Sequence, residues 1–109
     1  MSFETCTCRV GRGVRIAARV YHGAVASSPL LISRGFGMTK EDSHALADNL
    51  CAVHGFTVVT MDNRGSGDSD NPPFGDRPGM QCMAQDCVGL MRALGFGRYA
   101  LDLSLNLLK

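Results

Sequence analysis

Two runs of alternating apolar and polar residues open the chain. Residues 3 to 10 and 14 to 21 alternate around Gly11-Arg12-Gly13, the pattern of two antiparallel strands joined by a tight glycine turn at a sheet edge. The Gly-x-Gly has no helix behind it and therefore marks a turn, not a nucleotide loop. After the small and polar stretch Ala24-Val25-Ala26-Ser27-Ser28-Pro29 comes Leu30-Leu31-Ile32-Ser33, an unbroken apolar run of the kind that strands buried on both faces carry. Arg34-Gly35-Phe36-Gly37 ends it, and Thr39 with Asp42 three residues on resembles a capping box that opens a helix. Leu46, Ala47, Leu50, Cys51 and His54 then share one helical face, and Gly55 supplies a left-handed stop.

The β-branched run Phe56-Thr57-Val58-Val59-Thr60-Met61 follows at once. Residues 30 to 61 thus predict a strand, helix and strand with a parallel, right-handed connection, which implies an α/β fold. The segments Asp62-Asn63-Arg64-Gly65-Ser66-Gly67-Asp68-Ser69-Asp70 and Asn71-Pro72-Pro73-Phe74-Gly75 are dense in turn formers and predict a long surface loop. From about residue 80 a second helix faces inward with Met83, Cys87, Leu90, Met91 and Leu94, and Gly95 closes it. Tyr99-Ala100-Leu101-Asp102-Leu103 reads as a further strand, although residues 103 to 108 fit a helix equally well. The two helices are expected on opposite faces of one sheet, with the last strand at an open edge.

Composition narrows the function classes. At 109 residues the chain is one domain or part of one. A net charge of +1 without a basic stripe argues against nucleic acid. Neither the apolar core of a signal peptide nor a run of roughly 18 apolar residues occurs, so no membrane partner and a cytoplasmic location are expected. Five cysteines, Cys6, Cys8, Cys51, Cys82 and Cys87, are odd in number and lack any C-x-x-C pair, as reduced thiols would be. A metal set of Cys6, Cys8, Cys82 and Cys87 is conceivable, but their strand and helix positions favour small buried hydrophobes, and neither metal nor cofactor is expected.

The order of these elements resembles the α/β-hydrolase family over about residues 12 to 101. It is carried by R-G-F-G after the third strand, Asp62-x-Arg64-Gly65-x-Gly67-x-Ser69 after the fourth, and M-A-Q-D-C-V-G-L-M-R-A-L-G-F on the second helix. The resemblance implies residues 1 to 109 as the N-terminal portion of a single α/β-hydrolase domain, a partial sheet with an antiparallel hairpin followed by parallel strands and helices on both faces. It further implies a serine-type ester or acyl hydrolase acting on a small-molecule acyl substrate, with the Phe36 N–H as an oxyanion donor from the loop after the third strand. Arg34 stands where the family more often has His. Without the resemblance, Gly-Phe-Gly would read as an ordinary strand-to-helix turn.

Other readings of the Asp62 loop fit less well. A phosphate loop needs a third glycine and an immediate helix, where this chain has Asp70 and Pro72-Pro73. A calcium loop needs regularly alternating oxygen ligands and a closing Glu. The loop is therefore expected to be structural, with Arg64 and the aspartates in local hydrogen bonds and solvated ion pairs. In the family the nucleophile sits in a G-x-S-x-G elbow after the fifth strand. Ser104 stands near that place in Asp102-Leu103-Ser104-Leu105-Asn106, but the flanking glycines are absent. His22, His44 and His54 fall at positions that the family does not use for catalysis. Two classes of function follow. One is a hydrolase whose elbow, acid and histidine lie outside this chain, leaving it inactive alone; the other is a non-catalytic module that pairs, with itself or a partner, through an exposed sheet edge.

Overall fold

The hairpin turn sets the first part of the sheet. In the computed structural model, which describes residues 3–24, 28–34, 39–70 and 80–104, β1 (Phe3–Arg9) and β2 (Arg15–Tyr21) pair antiparallel, with Cys6 opposite Ala18 and Cys8 opposite Ile16. A single 3₁₀ turn at Gly11–Gly13 joins them. Gly13 adopts φ +73°, open to glycine at no steric cost, and Val10 and Val14 share a 2.8 Å backbone bond across the turn.

β2 pairs antiparallel with β4 (Val58–Met61), β4 lies parallel to β3 (Leu30–Arg34), and β3 parallel to β5 (Ala100–Ser104), giving the order β1-β2-β4-β3-β5. Every residue of β4 is buried, as are Leu31 and Ile32 of β3. Strands at the centre of a sheet covered on both sides have no polar face, which is why these runs do not alternate. β1 and β5 are the edges among the described residues.

Side-chain alternation sorts the core onto two faces. Ile16, Ala18, Val20, Leu31, Val59 and Met61 pack under α2 (Met80–Ala93) against Cys87, Leu90 and Met91. Tyr21, Ile32 and Val58 pack against Ala47 and Cys51 of α1 (His44–Ala52) on the other face. The opposite placement of the helices, the hairpin and the parallel strands agree with the sequence reading.

Three details differ. The capping box forms, with the Asp42 carboxylate accepting from the Thr39 N–H at 2.7 Å, but it opens a 3₁₀ turn, Lys40–Ser43, before α1 begins. The fourth strand starts at Val58, not at residue 56. Gly55 at φ +78° leads the chain out of α1 with its N–H on Cys51 O, and Phe56 donates to Leu50 O, so Phe56 serves the helix end and stays 38 % exposed. The buried stripe of α1 is also narrower than its periodicity suggests. Ala47 and Cys51 are buried and Leu50 is half-buried, while Leu46 is 40 % exposed and His54 stacks outside on Phe56 at 6.4 Å. On α2 the stripe holds where it is described: Cys87, Leu90 and Met91 are buried and Leu94 packs at the margin, while the Met83 side chain lies outside the described residues. Gly95 at φ +85° and the Phe96 N–H bond to Met91 O end α2 in a Schellman motif.

Candidate functional site

After β3 the chain crosses one face as α1 to reach β4; after β4 it crosses back over the other face as α2 to reach β5, on the far side of β3. Reversed winding of this kind marks the carboxyl ends of the strands as the side where open α/β sheets bind ligands. At that rim Arg34, the last residue of β3, is in register with Ser104, the last of β5. One layer below, the buried Ser33 hydroxyl donates to Asn63 Oδ1 at 3.3 Å, linking the ends of β3 and β4.

Asp62, the residue after β4, organises the rim. Its N–H continues the sheet by donating to Ala17 O at 2.9 Å. Its buried carboxylate accepts from the Lys40 N–H at 2.5 Å, from Lys40 Nζ at 2.9 Å and from the Asp68 N–H at 2.9 Å. A carboxylate at the first turn of a helix satisfies orphan donors and faces the positive end of the dipole. One side chain therefore ties the start of the first helical segment, the end of β4 and the loop together. The loop can close this tightly only at glycine: Gly67 has φ +50°, and a Cβ there would strike the Asp62 carboxylate.

Lys40 is buried, with Asp68 at 2.8 Å and Glu41 at 3.1 Å besides Asp62. Burial works to lower its pKa, but the hydrogen bonds to Asp68, Asp62 and Glu41 outweigh this and raise it above the ordinary lysine value. Asp68 is held low by the Lys40 hydrogen bond, and Glu41, against the effect of its burial, by a backbone N–H and Lys40.

The rest of the loop is stitched to β2 and α2. Ser69 Oγ donates to Asp62 O at 2.6 Å and accepts from the Ala17 N–H at 2.9 Å. Asp70 takes the Arg15 N–H at 2.8 Å and returns its own N–H to Arg15 O. Arg64 grips Asp86 of α2 through two bonds of 2.7 and 2.8 Å, with side chains only 6 % and 2 % exposed. The loop is structural, as expected, yet two of its ion pairs are buried where solvated ones were expected. Lys40 and Asp86 carry those pairs and escaped the sequence reading. Asp86 did leave a signal: a lone carboxylate beside Cys87, on the inward stripe of an amphipathic helix, demands a buried cation.

The two sequence-named site residues stand differently. Phe36, the expected oxyanion donor, lies outside the described residues. Ser104 ends β5 and is described by its backbone alone. His22 pairs with Glu4 at 2.7 Å and, like His54, sits at the amino-terminal edge of the parallel strands, away from Ser104. The remaining histidine, His44, shares a 2.8 Å hydrogen bond with the Tyr21 hydroxyl. No group of three or more His, Cys, Asp or Glu suited to a metal occurs among the described residues, nor any helix long and apolar enough to cross a membrane.

Solved structures share this arrangement. A Salmonella enterica protein assigned as an acyltransferase superposes with a TM-score of 0.80 at 31 % identity, over 92 % of this chain and 33 % of its own. An α/β hydrolase from Novosphingobium aromaticivorans gives 0.77 at 27 % identity, over 93 % of this chain and 35 % of its own. The fold is that of the α/β-hydrolases. An epoxide hydrolase from Vigna radiata, 23 % identical, shares the α/β-hydrolase fold with a TM-score of 0.77 over 94 % of this chain and 32 % of its own. The chain thus spans about a third of the length of each of these α/β-hydrolase structures. No protein-family model and no curated protein matches it.

Proposed function

We propose that this chain provides the oxyanion side of a serine-type acyl hydrolase site, with the Phe36 N–H as donor, and that it does not turn over acyl esters alone. The observation that carries the reading is the register of Arg34 with Ser104. Phe36 follows Arg34 by two residues in the sequence, and Arg34 ends β3 beside the end of β5, where an elbow nucleophile would follow. The Asp62 and Lys40 joint anchors the chain beyond Phe36 at Thr39 and Lys40, the kind of rigid support an oxyanion donor needs.

Catalysis needs more than one donor. None of the described histidines is directed to Ser104, and a serine hydroxyl without an oriented base is a weak nucleophile. The similarity to a protein assigned as an acyltransferase and to one named an α/β hydrolase favours an acyl substrate in the intact fold. The test is p-nitrophenyl acetate turnover with fluorophosphonate labelling of the 109-residue chain and of Ser104→Ala. Background rates in both are expected. Labelling at Ser104 with a burst that the substitution abolishes would overturn the claim of inactivity. The edge position of β5 supports the second reading, a module that pairs through its open strand; concentration-dependent sedimentation, abolished by a proline in β5, would favour it.

A further inference from the structure

We propose that Cys6 and Cys8 form a two-thiolate site for a soft, low-coordinate cation, Cu(I). Both lie on β1, an edge strand, two residues apart and so on the same face, opposite Ala18 and Ile16. Side chains two apart on one face of a strand rise from Cα atoms roughly 7 Å apart, a spacing from which two thiols can converge on one ion. Both are half-buried at the margin of the apolar cluster under α2, whereas Cys51 and Cys87 are buried. The sequence expectation of plain buried hydrophobes fits Cys51 and Cys87 better than this pair.

The surroundings choose the ion. Cys6, Ala18 and Met61 stand in one row across β1, β2 and β4, and the Cys87 thiol donates to Met61 Sδ at 3.7 Å. Met61 and Cys87 add sulfur to the same face of the sheet, and Glu4, the next residue on that face of β1, has its carboxylate on His22. Ions that need four ligands or oxygen find no third donor of the usual kind among the described residues. Thiolate and thioether ligands select Cu(I), which two thiolates can satisfy. In binding, each thiol gives its proton to solvent, two Cu–S bonds form, and copper stays in the +1 state throughout.

The proton is the competitor. Two protons leave on binding, so affinity should rise with pH, by about 100-fold per unit while both thiols are protonated.

The experiment is anaerobic titration of the 109-residue chain with Cu(I) against bicinchoninate. One equivalent should be retained, and Cys6→Ser or Cys8→Ser should weaken it at least about 100-fold, while Cys51→Ser, Cys82→Ser and Cys87→Ser leave it unchanged. X-ray absorption should show two sulfur neighbours. Failure of the wild-type chain to compete, or retention of the ion by the Cys6→Ser, Cys8→Ser double variant, overturns the proposal. Should a serine variant not fold, iodoacetamide mapping on the wild type decides: one equivalent of Cu(I) must protect Cys6 and Cys8, and no protection overturns the site.

Discussion

The two faces of the sheet are held by different forces. Under α2, eleven buried residues among the described ones, from the hairpin, β3, β4 and the helix, form one apolar cluster. Under α1 the cluster has five among the described residues, and polar side chains are buried beside it. The Arg19 guanidinium lies 4.2 Å over the Phe3 ring and donates to the Tyr21 hydroxyl at 3.3 Å, which in turn meets His44. Lys40 is buried on this side against its three carboxylate partners. Apolar area is non-directional and tolerates small shifts; buried polar contacts hold one geometry and cost heavily when half-made.

The largest effect is expected where a charge is buried beside the apolar face. Asp86→Ala takes a buried, doubly bonded carboxylate away from the Arg64 guanidinium and should cost about 3–5 kcal/mol by urea unfolding, and adding Arg64→Met should recover much of it. A loss below about 1 kcal/mol would mean that the pair is wet in solution. Next, matched leucine deletions compare the faces directly. Leu90→Ala removes a fully buried side chain under α2 and should cost about 3 kcal/mol. Leu50→Ala, half-buried on α1, should cost about 1 kcal/mol because water already reaches the site. Equal losses would break the distinction.

The comparison also explains what was legible from sequence. Val58, Val59, Leu31 and Ile32 announced a central sheet because burial on both faces imposes an unbroken apolar run, and Leu90 and Met91 announced α2 through helical spacing. Local rules sufficed there. The polar joints depend on long-range pairing: Lys40 meets Asp62 and Arg64 meets Asp86, each 22 positions away, and nothing local tells a buried lysine from a solvated one. The fourth strand's start at Val58 was hidden for a related reason, since Phe56 has strand propensity but its N–H is used by the end of α1. Of the candidate site, Phe36 and Ser104 came from family resemblance, and only the backbone register of Ser104 adds to it.

The two faces should also respond differently to pH. Asp68, Asp70 and Glu41 have folded pKa values lowered from 3.8, 3.8 and 4.5, respectively. A lowered carboxylate stabilises the fold fully above its unfolded value and loses that contribution as pH falls through the folded one. The raised Lys40 contributes fully below 10.5 and loses its share only as pH climbs through its still higher folded value. The raised thiols of Cys6 and Cys87 contribute fully only below 9.0, so a stability plateau between about pH 5 and 9 with an acid limb below is expected. Lys40→Met should shrink that limb, whereas Leu90→Ala should lower the whole curve without changing its shape. An unchanged limb in Lys40→Met would show that the acid loss arises elsewhere.

The smallest effect isolates burial from charge. Glu4 and His22 make a 2.7 Å pair, as short as the contact between Arg64 and Asp86, but with side chains 67 % and 60 % exposed at the open end of the hairpin. Distance alone would rank the two pairs as equals. Water screens the exposed partners, and ordering two free side chains offsets most of the remaining attraction. His22→Ala should therefore change stability by no more than about 0.5 kcal/mol, and added salt should erase whatever difference remains. A loss approaching that of Asp86→Ala would show that contact distance outweighs depth here, and the contrast drawn between solvated and buried polar contacts would fall with it.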